Sequence, residues 1–311
     1  TPNRSEVAAA NVRGVLERLG AQFTPAELES SLDALEQHGP PHAVSFETLK
    51  IIRVFASSNY VAAFPADSAL GERVLFPAGP YETRGMEDAR FVRFAAADGT
   101  WKYYATYTAY DGFSILPQLI ETADFRRFRV STLNGAAAQN KGMALFPRPV
   151  HGQYVMLSRK DRENLYLATS TDVHNWNEAE ELYRPRHPWE LMQIGNCGSP
   201  IETEAGWLVL THGVGPMRRY AIGALLLDLD DPARVIGDLA EPLLEPDEDE
   251  REGYVPNVVY TCGAIVHAGR LCVPYGFADS AVAIAQMQLA DLLDALLTTR
   301  RRPAQTLNSS V

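Results

Sequence analysis

The feature that most constrains this chain is a glycine-led strand that recurs about every fifty residues. Gly152-Gln153-Tyr154-Val155-Met156-Leu157-Ser158-Arg159 can be laid over Gly206-Trp207-Leu208-Val209-Leu210-Thr211-His212. Gly99 and Gly269 open two more versions, and the four glycines stand 53, 54 and 63 residues apart. Each is preceded by another apolar run: Phe91 to Phe94, Ala144 to Phe146, Pro200 to Glu202 and Gly263 to Val266. A period of ~50 residues holding several short strands is the signature of propeller blades. Four repeats are visible, and the stretch from Phe46 to Gly79 is expected to supply a fifth. The competing arrangement is an unclosed stack of meanders or a sandwich.

Other segments have a different period. Residues 1–45 read as a helical extension. Thr24-Pro25-Ala26-Glu27 is a capping box with proline at the first helical position, and Phe23 and Leu28 are placed as a hydrophobic staple. Leu28, Leu32 and Leu35 form one apolar stripe that Gly39-Pro40 should end, and Val12, Val15, Leu16 and Leu19 form another. From about Phe46 the pattern turns to short apolar runs broken by Gly, Pro, Asp and Asn, which read as strands. Leu289 to Leu297 returns to helical spacing. The expectation is an all-β, five-bladed β-propeller over 46–311 carrying a helical extension, which also offers a surface for self-association.

Composition narrows the function. A net charge of −11 argues against a general nucleic-acid or membrane-surface role, so any anion must be met by a local cluster of cations. No run of ~18 apolar residues suggests a membrane span. Cys197, Cys262 and Cys272 are odd in number and lack CxxC spacing, and the first residues do not have the order of a secretory leader; both fit a reducing cytoplasm. The chain opens at Thr1 rather than Met, which leaves room for an upstream segment. The seven histidines are scattered, and the His38–His42 pair straddles Gly39-Pro40-Pro41, so no metal site is expected.

Inner strands of successive blades converge on a propeller's axis, so equivalent positions should face one another. Arg159 lies five residues after Tyr154, and His212 five after Trp207. Lys141, in Asn140-Lys141-Gly142-Met143, leads into the blade of Arg159. Together they would make an anion site; each alone is more often solvated surface charge. The acidic candidate is Asp88 in Gly85-Met86-Glu87-Asp88-Ala89-Arg90, just before an apolar strand. It reads either as a general acid in the channel or as a charged turn with local ion pairs. Neighbouring strand residues point to opposite faces, so Glu87 is expected to make an ion pair rather than to share a sugar with Asp88. Tyr107, Tyr110 and Trp189 are candidates for a sugar platform or for packing between blades.

Gly85 to Arg90 resembles the Gly-x-Glu-Asp-Pro-Arg motif of glycoside hydrolase family 130, with Ala89 in place of the proline. Asn140 to Arg148, Gly195 to Ile201, Thr211 to Val214, Val255 to Val259 and Tyr275 to Asp279 are similar to that family's later motifs. They occur in the same order from Ser57 to Leu297. The resemblance implies a five-bladed propeller that cleaves β-mannosides with inversion, using one acid and inorganic phosphate, and no cofactor. Asp88 matches the proton donor, which in that family acts through the mannosyl 3-hydroxyl. Lys141, Arg159, His212 and Tyr254 match phosphate-binding positions. Asn59 and Asp279 match residues that hold the mannosyl ring, and a sugar contact is the second reading of Glu87. An inverting hydrolase needs a second carboxylate to activate water, whereas phosphate is already a nucleophile. Hydrolytic relatives are expected to carry glutamates where this chain has His212 and Tyr254. Phosphorolysis of a β-1,2- or β-1,4-linked manno-oligosaccharide to mannose 1-phosphate is therefore the expected reaction. A mannosidase on the same fold and a glycan-binding propeller without catalysis are the alternatives.

Overall fold

The computed structural model describes residues 4–19, 23–38 and 45–299. Three helices come first: α1 (Arg4–Arg18), α2 (Pro25–His38) and α3 (Phe46–Ser57). The capping box of α2 forms as expected. The Thr24 N–H donates to Glu27 Oε2 (2.7 Å), and the Glu27 N–H donates back to Thr24 Oγ1 (3.3 Å). The Gly39-Pro40 stop lies outside the described residues. Val15, Leu28, Leu32 and Leu49 make the core of this small bundle, while Val12 and Leu16 of the expected stripe remain exposed.

The third helix corrects the expectation that strands begin at Phe46. Ser45 caps it by accepting from the Thr48 N–H (3.2 Å), and Leu49 is fully buried against α1 and α2. Arg53 ties it to α2 through Glu29, Asp33 and Glu36 at 2.8–3.1 Å. Thr48, Ile51, Ile52 and Val54 give the segment the β-branched look of a strand, but packing on the other helices overrides that preference.

The first sheet has the order β1-β5-β4-β3-β2, from β1 (Tyr60–Ala63), β2 (Gly85–Ala95), β3 (Trp101–Tyr110), β4 (Ile115–Thr122) and β5 (Arg127–Thr132). The second is β6 (Ala144–Leu145), β7 (Tyr154–Ser158), β8 (Leu165–Ser170) and β9 (Glu178–Tyr183) in sequence order. In the third, β10 (Gln193–Asn196) and β11 (Ile201–Thr203) both pair with β12 (Gly206–Val214), followed by β13 (Tyr220–Leu227) and β14 (Val235–Asp238). The fourth joins β15 (Val259–Tyr260) and β16 (Ile265–His267) to β17 (Arg270–Phe277), which pairs with β18 (Ala281–Gln288). Helix α4 (Leu289–Thr299) packs on the interface of the third and fourth sheets through Leu292 and Leu296.

These sheets are four blades, not the expected five. The stretch from Phe46 to Gly79 builds no sheet of its own: it gives α3, and then β1, which adds to the outer edge of the first blade beside β5. Three apolar seams hold neighbouring blades together. Phe94 and Leu119 meet Leu145 and Trp176; Phe146 and Leu157 meet Trp207 and Leu225; Leu208 and Leu226 meet Leu271 and Val273. Between the first and fourth blades lies instead an apolar groove of about 980 Å³, with Phe91 and Phe125 on one side and Ile265 and Val282 on the other. In every blade the start of the inner strand and the end of the next strand lie at the same end, as Gly85↔Tyr110, Gln193↔Val214 and Val259↔Phe277 show. Lys141, Arg159, His212 and Asp279 all belong to that end. The inner strand is interrupted in the third and fourth blades, and the two breaks touch. A Cβ on Gly198 would stand 2.6 Å from the Cys262 carbonyl oxygen, so only glycine permits the approach.

Two buried glutamates brace the lead-in to inner strands. Glu82 Oε2 accepts from the Ala78 and Gly79 N–H groups (2.7 and 2.8 Å), and its other oxygen accepts from the hydroxyls of Tyr107 and Tyr60. Glu190 Oε1 accepts from the Arg186 and His187 N–H groups (2.6 and 3.0 Å) and from the Tyr183 hydroxyl (3.3 Å), and burial pushes its carboxyl up from the usual range. Glu82→Ala strands two backbone donors and two tyrosine hydroxyls, which should cost on the order of 3 kcal/mol. Thermal unfolding should then shift down by roughly 5 °C. A shift below about 2 °C would mean that water replaces the carboxylate and that the brace carries little.

Candidate active site

Asp88 stands where β2 is bulged. Glu87 pairs with Thr108 but Arg90 with Thr106, so Asp88 and Ala89 together oppose one residue of β3. Asp88 adopts a left-handed backbone (φ 56°), which breaks strand alternation and turns its carboxylate away from the path of its neighbours. The strict alternation expected for this hexapeptide therefore holds on either side of Asp88 but not at it.

Arg90 holds the bulge. Its side chain is 1% exposed. Nη1 donates to the Asp88 carbonyl (3.0 Å), Nη2 to Asp88 Oδ2 (3.2 Å) and to the Tyr260 hydroxyl (2.7 Å), and Nε to the Cys197 carbonyl (3.0 Å). Burial opposes its charge, yet Tyr260, Asp88 and the cysteines outweigh that and raise its pKa above the ordinary value. Conversely, burial pushes the Tyr260 hydroxyl up, and raises the Cys262 thiol to about 11. Among the described residues Asp88 Oδ1 has no hydrogen-bond partner, and the carboxylate is about one-third exposed.

The cations gather beside it. Lys141 forms an ion pair with Glu87, and its ammonium lies 5.5 Å from the centre of the Tyr110 ring. The expected ion pair of Glu87 is thus present, made with a residue of the candidate phosphate site. Arg159 and His212 meet directly: Nη1 lies 2.9 Å from His212 Nε2. The guanidinium can only donate, so Nε2 accepts and the imidazole is neutral with its proton on Nδ1. Burial, then Arg159, then Arg90 depress the pKa of this 1% exposed histidine well below 6.5. Arg159 reaches it by crossing Gly195, where a Cβ would lie 2.6 Å from the imidazole and 3.1 Å from Arg159 Cδ. With its amide oriented to suit both neighbours, Gln193 accepts from Arg159 Nη1 (3.1 Å) and donates to the Arg162 carbonyl (3.3 Å). The His212 ring lies 5.0 Å from that of Tyr260 and is stacked on Tyr220. A continuous set of contacts therefore runs from Asp88 through Arg90, Tyr260 and His212 to Arg159.

Other expected positions lie apart from this set. Tyr254 is 88% exposed, on the segment before β15, and among the described residues only its backbone N–H is engaged, by Ser280 Oγ (3.3 Å). Asn59 sits at the outer edge of the first blade, where its oxygen accepts from the Thr132 N–H (3.1 Å) and its nitrogen donates to the Phe55 carbonyl. Asp279 is exposed in the turn between β17 and β18, with φ 50°. Tyr107 is 2% exposed with its hydroxyl on Glu82, so it packs inside the first blade and offers no platform. Tyr110 and Trp189 remain half-buried. Among the described residues, no three His, Cys, Asp or Glu side chains gather as metal ligands. Sequence reasoning missed the parts played by Arg90, Tyr260 and Tyr220. Arg90 was visible only as a flanking charge, and nothing in the spacing marks the two tyrosines.

The axial end of the propeller thus joins one carboxylate oxygen, unbonded among the described residues, to a cluster of basic side chains, as a catalytic site for an anionic co-substrate would require. Residues 67–298 match the family described as beta-1,4-mannooligosaccharide phosphorylase, and the chain belongs to that family, glycoside hydrolase family 130. It is 36% identical over 219 residues to a 1,2-beta-oligomannan phosphorylase of Thermoanaerobacter sp. (strain X514), covering 68% of this chain and 71% of that one. It is 33% identical over 230 residues to a beta-1,2-mannobiose phosphorylase of Listeria innocua, covering 71% and 63%. The solved structure of the beta-1,2-mannobiose phosphorylase from Listeria innocua with beta-1,2-mannobiose superposes with a TM-score of 0.64 over 72% of this chain and 64% of that one. The chain thus spans about two thirds of the length of these relatives.

The buried imidazole gives a pH dependence with a fixed sign. Its folded pKa lies below 6.5, so the unfolded chain takes up a proton that the folded one refuses. Stability is then lost as the pH falls below about 6.5, with a slope of up to about 1.4 kcal/mol per pH unit. His212→Asn should lose less stability than the wild type between about pH 7 and pH 5 in denaturant titrations. Equal losses would mean that His212 is protonated in the folded state.

Proposed function

We propose that the chain phosphorolyses β-linked manno-oligosaccharides to mannose 1-phosphate, with inversion at the anomeric carbon. The observation that carries the reading is the asymmetry of the site. One carboxylate, Asp88, has an oxygen free to deliver a proton, while its neighbour Glu87 is held by Lys141. Arg90 fixes the position of Asp88, so its proton reaches the departing oxygen directly or through a sugar hydroxyl. Lys141, Arg159 and His212 hold phosphate in line with the anomeric carbon, its negative charge offset by fixed cations. The neutral imidazole is useful here: by accepting at Nε2 it orients the Arg159 guanidinium toward the anion. The family resemblance adds Tyr254 to the phosphate contacts and Asn59 and Asp279 to the mannosyl contacts; in this structure the three stand apart from the axial set. Inorganic phosphate is the co-substrate, and no other group enters the reaction.

The named activities of the relatives support this reading, two with β-1,2 linkages and one, from Ruminococcus albus, with β-1,4. The protein thus transfers a glycosyl group to phosphate. Its three cysteines are free thiols, which supports a reducing compartment. No helix among the described residues is long and apolar enough to cross a membrane. Exposed Leu16, Ile51 and Phe55 on the helices support self-association.

Incubation with β-1,2- and β-1,4-mannobiose, with and without phosphate, decides the reaction. Mannose 1-phosphate should form only with phosphate, and Asp88→Asn should slow it by about 10²–10⁴-fold while the protein stays folded. Arg159→Ala should raise KM for phosphate far more than KM for the mannoside. Free mannose released at full rate without phosphate would make the chain a mannosidase. Sugar binding without turnover under either condition would make it a glycan-binding propeller.

A further inference from the structure

Asp88 is placed by Arg90, and Arg90 is itself aimed from another blade. Among the described residues, the one side chain outside the first blade that bonds Arg90 is Tyr260, whose hydroxyl accepts from Nη2 at 2.7 Å. The same nitrogen donates its other hydrogen to Asp88 Oδ2 (3.2 Å). The two N–H bonds of Nη2 leave in a fixed fork, so the direction of one sets the direction of the other. The Cys197 carbonyl fixes the Nε end of the guanidinium (3.0 Å), and Tyr260 fixes the far end. Without that second hold the plane can turn about Nε, and the contact to Asp88 Oδ2 turns with it.

Tyr260 is built into its place. It is the last paired residue of β15, opposite Gly276 of β17. The strand breaks directly after it, and Thr261 pins the break. The Thr261 hydroxyl, on a residue 2% exposed, donates to the Pro274 carbonyl (2.6 Å) and accepts from the Gly263 N–H (3.2 Å). The Tyr260 ring lies 5.0 Å from that of His212. One side chain therefore meets the acid's holder with its hydroxyl and the candidate phosphate site with its ring.

Packing does not call for the hydroxyl. Phenylalanine would fill the same volume and line the same apolar groove between the first and fourth blades. It would leave one N–H of a buried guanidinium unpaired, and nothing from the fourth blade to aim it.

We propose that Tyr260 is a positioning residue for proton transfer: its hydroxyl holds Arg90 so that Asp88 presents its other oxygen to the departing sugar. The inference rests on the reading of Asp88 as the acid of mannoside phosphorolysis and adds the residue that aims it. In that reaction a phosphate oxygen bonds the anomeric carbon, the glycosidic C–O bond breaks, and the departing oxygen takes the Asp88 proton. The contribution of Tyr260 is then confined to leaving groups that need a proton.

The test compares leaving groups in the full chain. Tyr260→Phe keeps the ring against His212 and removes the hydroxyl. With β-1,2- or β-1,4-mannobiose and phosphate, kcat should fall by about 10–10²-fold, the scale of a misplaced catalytic group, while KM for phosphate stays within about twofold. With 2,4-dinitrophenyl β-mannoside, whose phenolate departs unprotonated, the loss should be about tenfold smaller. Thr261→Val keeps its shape but frees the strand end that carries Tyr260. It should give the same pattern more weakly, and it decides the matter if Tyr260→Phe does not fold. A kcat within about twofold of wild type on mannobiose, an equal loss on both substrates, or a phosphate KM rising in step would each overturn the role of Tyr260 and leave phosphorolysis standing. The same leaving-group pattern with water as acceptor, releasing mannose without phosphate, would overturn phosphorolysis and leave Tyr260 in its role. A wild type that cleaves neither substrate would overturn both.

Discussion

One buried guanidinium organises the axis of this molecule. Arg90 leaves the first blade, bonds the Cys197 carbonyl in the third and the Tyr260 hydroxyl in the fourth, and returns to Asp88 on its own strand. Taking such a charge out of water is prohibitive unless every donor finds a partner. The partners exist because the inner strands of the third and fourth blades break beside it, and the break frees the Cys197 carbonyl. Removing one partner of a buried charged pair typically costs about 3–5 kcal/mol. The contact also spans the groove between the first and fourth blades, where no apolar seam joins them.

The chemistry follows from that clamp. A bulge alone would leave Asp88 free to wander; Arg90 binds both its carbonyl and one carboxylate oxygen, and so presents the other. The same guanidinium contributes, after burial and Arg159, to keeping His212 neutral. A chain with a net charge of −11 thereby builds a local patch of positive potential from few groups. Lys141 is the exception, since Glu87 already holds it. Its ammonium has three donors, so it can keep Glu87 and still meet an anion, which links the nucleophile site to the residue beside the acid.

The blade period was legible because each repeat must bury the same alternating face. The meeting of Arg159 and His212 followed from equal register in neighbouring blades. The number of blades was not legible. A segment rich in β-branched residues looks like a strand until Leu49 and Arg53 find partners on other helices, and those partners are distant in sequence. The Glu82 and Glu190 braces did leave a trace, Pro80-Tyr81-Glu82 against Pro188-Trp189-Glu190, two blades apart. Charge made these glutamates look like surface residues, and only the tertiary arrangement of tyrosine hydroxyls and turn amides makes their burial affordable. Asn59 and Tyr254 were named through family likeness alone, and local structure engages the first and leaves the second exposed.

The central claim is that the acid and an anion pocket share the propeller axis. A crystal of the wild-type chain soaked in phosphate tests it most directly. The account predicts one anion among Lys141, Arg159 and His212, with oxygens about 2.7–2.9 Å from the lysine and arginine nitrogens. An axis without an anion at saturating phosphate would contradict it.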